Sequence, residues 1–106
     1  MRVSGLVLAV ALGACAAPPP QIVGRYASLL SDSDIEQIRV VAAAHLTRLN
    51  EHPTGPPRRL EVIRPDFVRV AVPIQDRYAD TIWFEEVKRR GRWIIRWNPG
   101  ENVIVY

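Results

Sequence analysis

One cysteine and a few acidic and histidine side chains are the residues through which this chain could do chemistry. Cys15 is the only cysteine among 106 residues, so a disulfide within the chain is excluded. A cysteine thiolate is a good nucleophile and can accept a covalent group. Gly13 and Ala14 stand directly before Cys15, and such small side chains leave the backbone open to a processing enzyme. Covalent modification of Cys15 is therefore the first chemistry that the sequence indicates.

The segment before this cysteine has the pattern of a secretory signal. Arg2 gives the N-terminus a positive charge, and residues 3–12 are an apolar run that only Ser4 interrupts. The run is shorter than the about 20 apolar residues that a membrane-spanning helix needs. A charged start, a short apolar run and small residues at its end are typical of signal peptides. We therefore predict a signal peptide over residues 1–14.

Residues 12–15 have the sequence Leu-Gly-Ala-Cys and resemble the lipobox of bacterial lipoproteins. The resemblance implies cleavage between Ala14 and Cys15, addition of a diacylglyceryl group to the Cys15 thiol, and an exported protein that is lipid-anchored to the cell membrane. In that family, a residue other than Asp after the cysteine favours the outer membrane of a Gram-negative cell, and Ala16 fits that rule. The mature domain would then face the periplasm.

Two other interpretations of Cys15 stay open. The small residues Ala14 and Ala16 on either side of it also fit the small-x-small site of ordinary signal peptidase, which would release a soluble protein. In an uncleaved chain, Cys15 would instead be a buried thiol of the core.

The residues after the cysteine form a short spacer. Residues 16–20 read Ala-Ala-Pro-Pro-Pro, and consecutive prolines favour polyproline II, which rises about 3.1 Å per residue. Five residues therefore reach only about 15 Å. We predict a lipidated cysteine and proline-rich tether over residues 15–20, and one small domain over residues 21–106 held close to the membrane.

The charge balance gives no indication of nucleic-acid binding. The formal net charge is +3 and becomes +2 once Arg2 leaves with the signal peptide. A charge this small is unlike the strong basic footprint of nucleic-acid binders. The apolar share of 48% is ordinary for a folded domain.

The first half of the domain predicts helix. Residues 21–30 have scattered apolar side chains and are expected to form a short helix. Ser33, Asp34, Ile35 and Glu36 match a capping box, which marks the start of a longer helix that ends near Asn50. Its apolar residues follow helical spacing: Ile35, Ile38, Ala42, Leu46 and Leu49.

The second half predicts strands, over residues 60–63, 67–72, 81–89, 92–97 and 102–106. A hairpin turn at Arg90 and Gly91 pairs Arg89 with Arg92. This register places Phe84 and Trp93 on the face that should receive the helix. That face also carries Ile82, Glu86, Ile95 and Trp97. Trp83 lies on the other face, where an exposed aromatic side chain would mark a contact surface.

These elements predict an α+β domain in which one main N-terminal helix packs on a curved antiparallel β-meander of four to five strands. The layout resembles cystatin-like folds and nuclear-transport-factor-like folds at the level of architecture, over about residues 31–106. In the latter, ketosteroid-isomerase-like domains use a carboxylate inside an apolar cone.

Glu86 and His45 are the candidates for catalysis. Glu86 is expected to point inward among aromatic side chains, where burial would raise its pKa and suit it to act as a base. The alternatives are a carboxylate that lies at the sheet rim or one that pairs with an arginine. His45 lies near the apolar face of the helix and is more typical of a packed histidine. His52, seven residues further on, does not share its helix face, so we predict no metal site. We also predict no cofactor, because no glycine-rich phosphate loop is present.

The hairpin concentrates basic side chains that could contact an anionic lipid headgroup or an acidic protein: Lys88, Arg89, Arg90, Arg92 and Arg96. The alternative is a solvated tip that discourages aggregation between sheet edges.

We therefore expect a membrane-anchored envelope lipoprotein that acts as a non-catalytic binding or interaction module. Its expected partners are an envelope protein or anionic lipid headgroups. The alternative is a small-ligand-binding or isomerase-like cone with an internal pocket.

Overall fold

The computed structural model describes residues 19–96 in full and the backbone of residues 102–105. The predicted signal peptide, Cys15 and Trp97 lie outside these residues. The elements, in chain order, are β1 (Gln21–Val23), a 3-10 turn (Ala27–Leu29), α1 (Asp32–Arg48), β2 (Arg59–Arg64), β3 (Phe67–Pro73), β4 (Ala79–Arg89), β5 (Arg92–Arg96) and β6 (Asn102–Val105). The predicted α+β class is confirmed.

The sheet is a meander whose strands follow the order β1-β2-β3-β4-β5. Strands β2 to β5 pair antiparallel with their neighbours, as predicted. Strand β4 is long enough for two partners on one edge: β5 pairs with residues 85–89, and β6 pairs with residues 79–83. The hairpin register is confirmed, with Arg89 opposite Arg92 and Lys88 opposite Trp93.

The prediction of a short helix over residues 21–30 is wrong for the first part of this stretch, and its second part holds only the 3-10 turn Ala27–Leu29. Residues Gln21–Val23 form β1, which pairs in parallel with β2 and adds a sixth strand to the sheet. Gly24 ends this strand at a φ of 110°. A Cβ atom at Gly24 would lie 2.6 Å from the carbonyl oxygen of Val62, so the close approach of the chain to β2 requires glycine.

The helix begins two residues earlier than the predicted capping box implies. Ser31 is the N-cap, and Asp34 is the third helical residue. The Asp34 amide donates to the Ser31 hydroxyl oxygen at 3.0 Å, and the Ser31 amide donates to Asp34 Oδ2 at 3.1 Å. The sequence Ser-Asp-Ser-Asp contains two possible N-cap residues, Ser31 and Ser33. The predicted cap at Ser33 is wrong, because Ser31 is the N-cap. The helix ends at Arg48, close to the predicted Asn50, whose φ of 60° stops it.

The core lies between α1 and one face of the sheet. The helix contributes Ile38, Ala42 and Leu46, each almost fully buried. The predicted sheet face is the one that receives the helix, because Phe84 and Trp93 are both buried there. The remaining core side chains of that face are Leu60, Val62, Val68, Val70, Val72 and Ile82.

One carboxylate joins the start of the helix to the hairpin. Asp34 Oδ1 accepts hydrogen bonds from the Trp93 indole nitrogen and the Lys88 ammonium group, both at 2.9 Å. Burial opposes ionisation of this carboxyl, but hydrogen bonds from Trp93, Lys88 and Ser31 outweigh it and hold the Asp34 pKa well below its ordinary value. The sequence did not predict this contact. A buried tryptophan needs an acceptor for its N–H group, which is the one signal that pointed toward it.

We expect Asp34→Asn to lower the free energy of unfolding by about 2–4 kcal/mol, because it weakens two hydrogen bonds to a charged group and the helix cap. Denaturant unfolding at neutral pH measures the change. Asp32→Asn is the matched control, since Asp32 is exposed in the same helical turn and its interaction with the helix dipole is worth only about 0.5 kcal/mol.

The pH dependence gives a second readout for Asp34. Because its pKa is lowered in the folded state, its stabilising contribution is complete above the ordinary carboxyl pKa and is lost as the pH falls below that value. The difference between the wild type and Asp34→Asn should therefore shrink in acid. An equal loss in the Asp32 and Asp34 variants would contradict this role.

Candidate functional site

Glu86 is the most unusual polar residue of the core. Its position in β4 lies between Val68 of β3 and Ile95 of β5. The side chain is completely buried, and neither carboxylate oxygen has a hydrogen-bond partner among residues 19–96. Burial raises the pKa of Glu86 to about 9, because the charged form loses its hydration without a compensating partner. Glu86 is therefore a neutral carboxylic acid at neutral pH.

The surroundings of Glu86 are set by its two neighbours on the inner face of β4. Phe84, on one side, contacts the His45 ring edge-on, with ring centroids 5.0 Å apart. Lys88, on the other side, bonds to Asp34. Because Asp34 lies in the first turn of α1 and His45 lies near its end, the contacts of these two residues with β4 fall on either side of Glu86. The prediction that Glu86 points inward is thus confirmed. Both alternatives, a carboxylate at the sheet rim and one paired with an arginine, are wrong for the described residues.

The two predicted catalytic residues, Glu86 and His45, lie in the same core. Neither of them lines a surface cleft of residues 19–96 described below. His45 is 6% exposed and Glu86 is 0% exposed. Three surface clefts are described along residues 19–96, and each is lined by other side chains. A base must come within hydrogen-bond reach of a substrate proton. Catalysis by Glu86 or His45 therefore stays a prediction that requires movement of α1.

The described part of the chain contains neither a cluster of metal ligands nor a membrane-spanning helix. Among residues 19–96, no three histidine or acidic side chains come together as a metal site would require. Within the described residues, α1 and the 3-10 turn are the helical segments, and neither is long and apolar enough to cross a bilayer.

The basic residues of the hairpin separate into two groups. Lys88 turns toward the helix and pairs with Asp34 at 2.9 Å. Arg96 pairs with Glu85 at 3.3 Å, and its guanidinium lies 5.2 Å from the centre of the Phe67 ring. Both are therefore engaged within the domain. The other three, Arg89, Arg90 and Arg92, are exposed at the turn.

A fourth arginine joins these three from the neighbouring turn. The Asp66 carbonyl accepts a hydrogen bond from the Lys88 amide at 2.8 Å, which fixes the β2–β3 turn beside the hairpin. Arg64, at the end of β2, lies 5.4 Å from the centre of the Phe67 ring and 4.0 Å from Asp66, but its side chain is 66% exposed. We call Arg64, Arg89, Arg90 and Arg92 the basic tip. Sequence analysis missed Arg64 because its position beside the hairpin depends on the β3–β4 pairing.

The sheet face away from the helix is covered by its own side chains. The Arg69 guanidinium lies 5.1 Å from the centre of the Trp83 ring, and Glu61 pairs with Arg69 at 3.3 Å. Trp83 is half-buried under this pair. The prediction that it lies on the face without the helix is confirmed, but stacking with arginine reduces the apolar surface it presents.

The opposite end of the domain carries the start of the described chain and two clefts. Pro19 and Gln21 line a cleft of about 500 Å³ together with Thr54 and Pro73. A second cleft, of about 300 Å³, lies between α1 and the loop of residues 53–57. We call the second cleft the helix–loop groove. The loop residues Gly55, Pro56 and Pro57 line both clefts.

Comparison with known proteins gave no family for this chain. No protein-family model, curated protein or solved structure matches it significantly. The likeness to cystatin-like and nuclear-transport-factor-like architecture therefore stays a prediction.

We expect Glu86→Gln to change the pH dependence of stability. The folded pKa is raised from 4.5 to about 9, so the unfolded state releases this proton first. The free energy of unfolding of the wild type should therefore fall as pH rises between these values, by about 1.4 kcal/mol per pH unit. The neutral amide lacks this dependence, so the variant should be the more stable form at pH 8 and similar to wild type near pH 4. Denaturant unfolding across this range measures both.

Glu85→Gln is the matched control for this experiment. Glu85 is the next residue along the strand, on the opposite face, where it forms a partly exposed pair with Arg96. Substitution of Glu85 should leave the fall of the free energy of unfolding with rising pH unchanged. If the wild type and Glu86→Gln show the same slope, Glu86 is ionised in the folded protein and its proposed neutrality is wrong.

Proposed function

We propose that the chain is an exported bacterial lipoprotein whose domain acts as a non-catalytic binding module for another component of the cell envelope. The observation that carries the proposal is the sequence Leu12-Gly13-Ala14-Cys15 after a short apolar run. A thioether-linked diacylglyceryl group on Cys15 would hold the protein at the membrane, most consistently at the outer membrane of a Gram-negative cell.

The fold supports a division between an anchored end and a free end. Pro19 lies four residues after Cys15 and lines a cleft with Pro73, at the end of β3. Along β4, Thr81 pairs with Pro73, and Arg90 follows the end of the strand. These nine residues of extended chain span about 30 Å. The tether therefore attaches at one end of the sheet, and the basic tip lies at the other.

This arrangement selects the kind of partner. A tether of about 15 Å keeps the headgroups of the anchoring membrane near the Pro19 end, so the basic tip is directed toward a second component. Exposed arginines form strong, bidentate hydrogen bonds with carboxylates and phosphates. Ile63 and Ile94 are more than 40% exposed beside the tip and would add apolar contact. We infer that the partner is an envelope protein with an acidic surface.

A second candidate function rests on the perturbed acid in the core. A buried carboxylic acid with a raised pKa is a recurrent feature of active sites, and Glu86 has both properties. The domain would then be a small-ligand-binding or isomerase-like cone, in which displacement of α1 opens a pocket above β4. In that case Glu86→Gln, folded and stable, would abolish ligand binding or turnover. Substitution of Arg89 and Arg92 would affect neither ligand binding nor turnover.

Cys15→Ser tests the anchor. In a bacterial host supplied with labelled palmitate, the wild type should carry the label and sediment with membranes, whereas Cys15→Ser should be unlabelled and leave the membrane fraction. Ala16→Asp is the matched control, since it keeps the cysteine and should keep the label while favouring the inner membrane. An unlabelled wild-type protein would show that Cys15 is not lipidated.

The double substitution Arg89→Ser with Arg92→Ser tests the basic tip. We expect cross-linking to an envelope protein in intact cells to fall at least tenfold, because two charge-assisted contacts are lost. The fold should be kept or slightly stabilised, because these like charges lie directly opposite each other on paired strands. Mass spectrometry of the cross-linked product identifies the partner.

The control removes two exposed arginines from other parts of the surface, Arg25 and Arg77. It changes the net charge by the same amount and should leave the cross-link intact. An equal loss in both double variants would mean that overall charge, rather than the basic tip, governs the interaction.

A further inference from the structure

The helix–loop groove is an apolar groove that runs along α1 from Glu36 to Leu46, toward the anchored end of the domain. Its floor is Val72 of β3, one wall is α1, and the other is the loop of residues 53–57. The full lining is Glu36, Arg39, Val40, Ala42, Ala43, Leu46, Pro53, Gly55, Pro56, Pro57 and Val72. The volume of about 300 Å³ lies at the lower end of the range for ligand-binding sites, which suits one slender ligand.

The chemistry of the lining favours hydrocarbon over a polar ligand. Glu36 and Arg39 are its two charged residues, and they pair with each other at 2.9 Å. The loop wall contains three prolines, which have no backbone N–H group to donate. A peptide strand laid along this wall would leave much of its own backbone unbonded, which is costly. A saturated hydrocarbon chain has no polar groups that need hydrogen-bond partners.

Apolar surface is left uncovered beside the groove. Val40 projects from α1 into the lining and is 59% exposed. Ala43, one turn away from it on the same side, is also exposed. Hydrocarbon that covers this surface removes it from water, which is favourable in proportion to the apolar area covered. A ligand that covers this wall is therefore favoured in proportion to its apolar length.

The position of the groove identifies the source of such a ligand. It is separated from the cleft that contains Pro19 only by the loop residues that line both. Four residues connect Cys15 to Pro19 and span about 12 Å at most in polyproline II. An anchor on Cys15 therefore keeps this end of the domain, and the groove with it, beside the membrane surface.

We propose that the helix–loop groove binds a single acyl chain of a phospholipid from the membrane to which the domain is tethered. The inference rests on the proposed lipid anchor for the supply of ligand. The groove itself does not depend on it.

The experiment uses the full mature protein in lipid nanodiscs that contain a phospholipid with a diazirine in one acyl chain. After illumination, digestion and mass spectrometry locate the cross-linked residues. We expect them in the segments that line the groove, residues 36–46 and 53–57. Cross-links found only in residues 15–20, or spread over the surface, would overturn the proposal.

Two helix substitutions distinguish cross-linking within the groove from cross-linking of lipid to the surface in general. Ala43→Phe places a ring in the groove, and we expect it to reduce cross-linking at least tenfold. Ala44→Phe is the matched control, because Ala44 is exposed on the same turn of α1 but does not line the groove. Thermal unfolding checks that both variants fold. Equal cross-linking in the two variants would exclude the groove as the binding site.

A solution measurement distinguishes failure of the groove from failure of the anchor. The Cys15→Ser protein is titrated with parinaric acid, a fluorescent fatty acid, in the absence of membranes. Saturable binding that Ala43→Phe removes would support the groove even if Cys15 proved not to be lipidated. A lack of binding here together with a lack of cross-links in nanodiscs overturns the groove proposal. A dimer seen on sizing that Ala43→Phe disrupts would instead assign the groove to a second copy of the chain.

Discussion

The carboxylate of Asp34 is the constraint on which the remaining architecture depends. It completes the cap of α1, accepts the indole N–H group of Trp93 and neutralises Lys88. A single side chain thereby fixes the start of the only long helix of the described residues to the hairpin of the sheet. The rest of the helix follows from this attachment, because Ile38, Ala42 and Leu46 are then directed onto the sheet. Since Lys88 is held inward, the arginines of the turn are left to face solvent.

The same attachment explains how the fold tolerates Glu86. Helix α1 is held at its first turn by polar contacts and near its last turn by the packing of His45 on Phe84. The segment between these contacts covers a carboxylic acid for which the described part of the chain offers no hydrogen-bond partner. A neutral acid costs much less to bury than a carboxylate, so the core can hold it as long as it keeps its proton. Burial of Glu86 is therefore expressed as a raised pKa, and it destabilises the folded protein only when the pH favours loss of the proton.

The sequence predicted those features that repeat along the chain. Alternation in β4 and β5 defined the hairpin register and the face that receives the helix, and the helical period defined α1. The features it missed depend on distant neighbours. Strand β1 has only three residues, and its conformation is set by pairing with β2 and by the close contact at Gly24. Arg64 joins the basic tip, and the prolines line the groove, only after the sheet and helix have packed. Neither contact has a local signature.

The placement of Pro19 and the basic tip at opposite ends of the sheet has a mechanical consequence for the proposed function. A protein held at Pro19 and bound at Arg90 would be pulled along its strands if anchor and partner moved apart. The hydrogen bonds between strands run across that direction, so the load would shear many of them together instead of opening them one at a time. Strand β1 receives the load first and passes it to β2 through its parallel pairing. Under the proposed function, the domain would act as a tension-bearing link in which strand pairing resists the force.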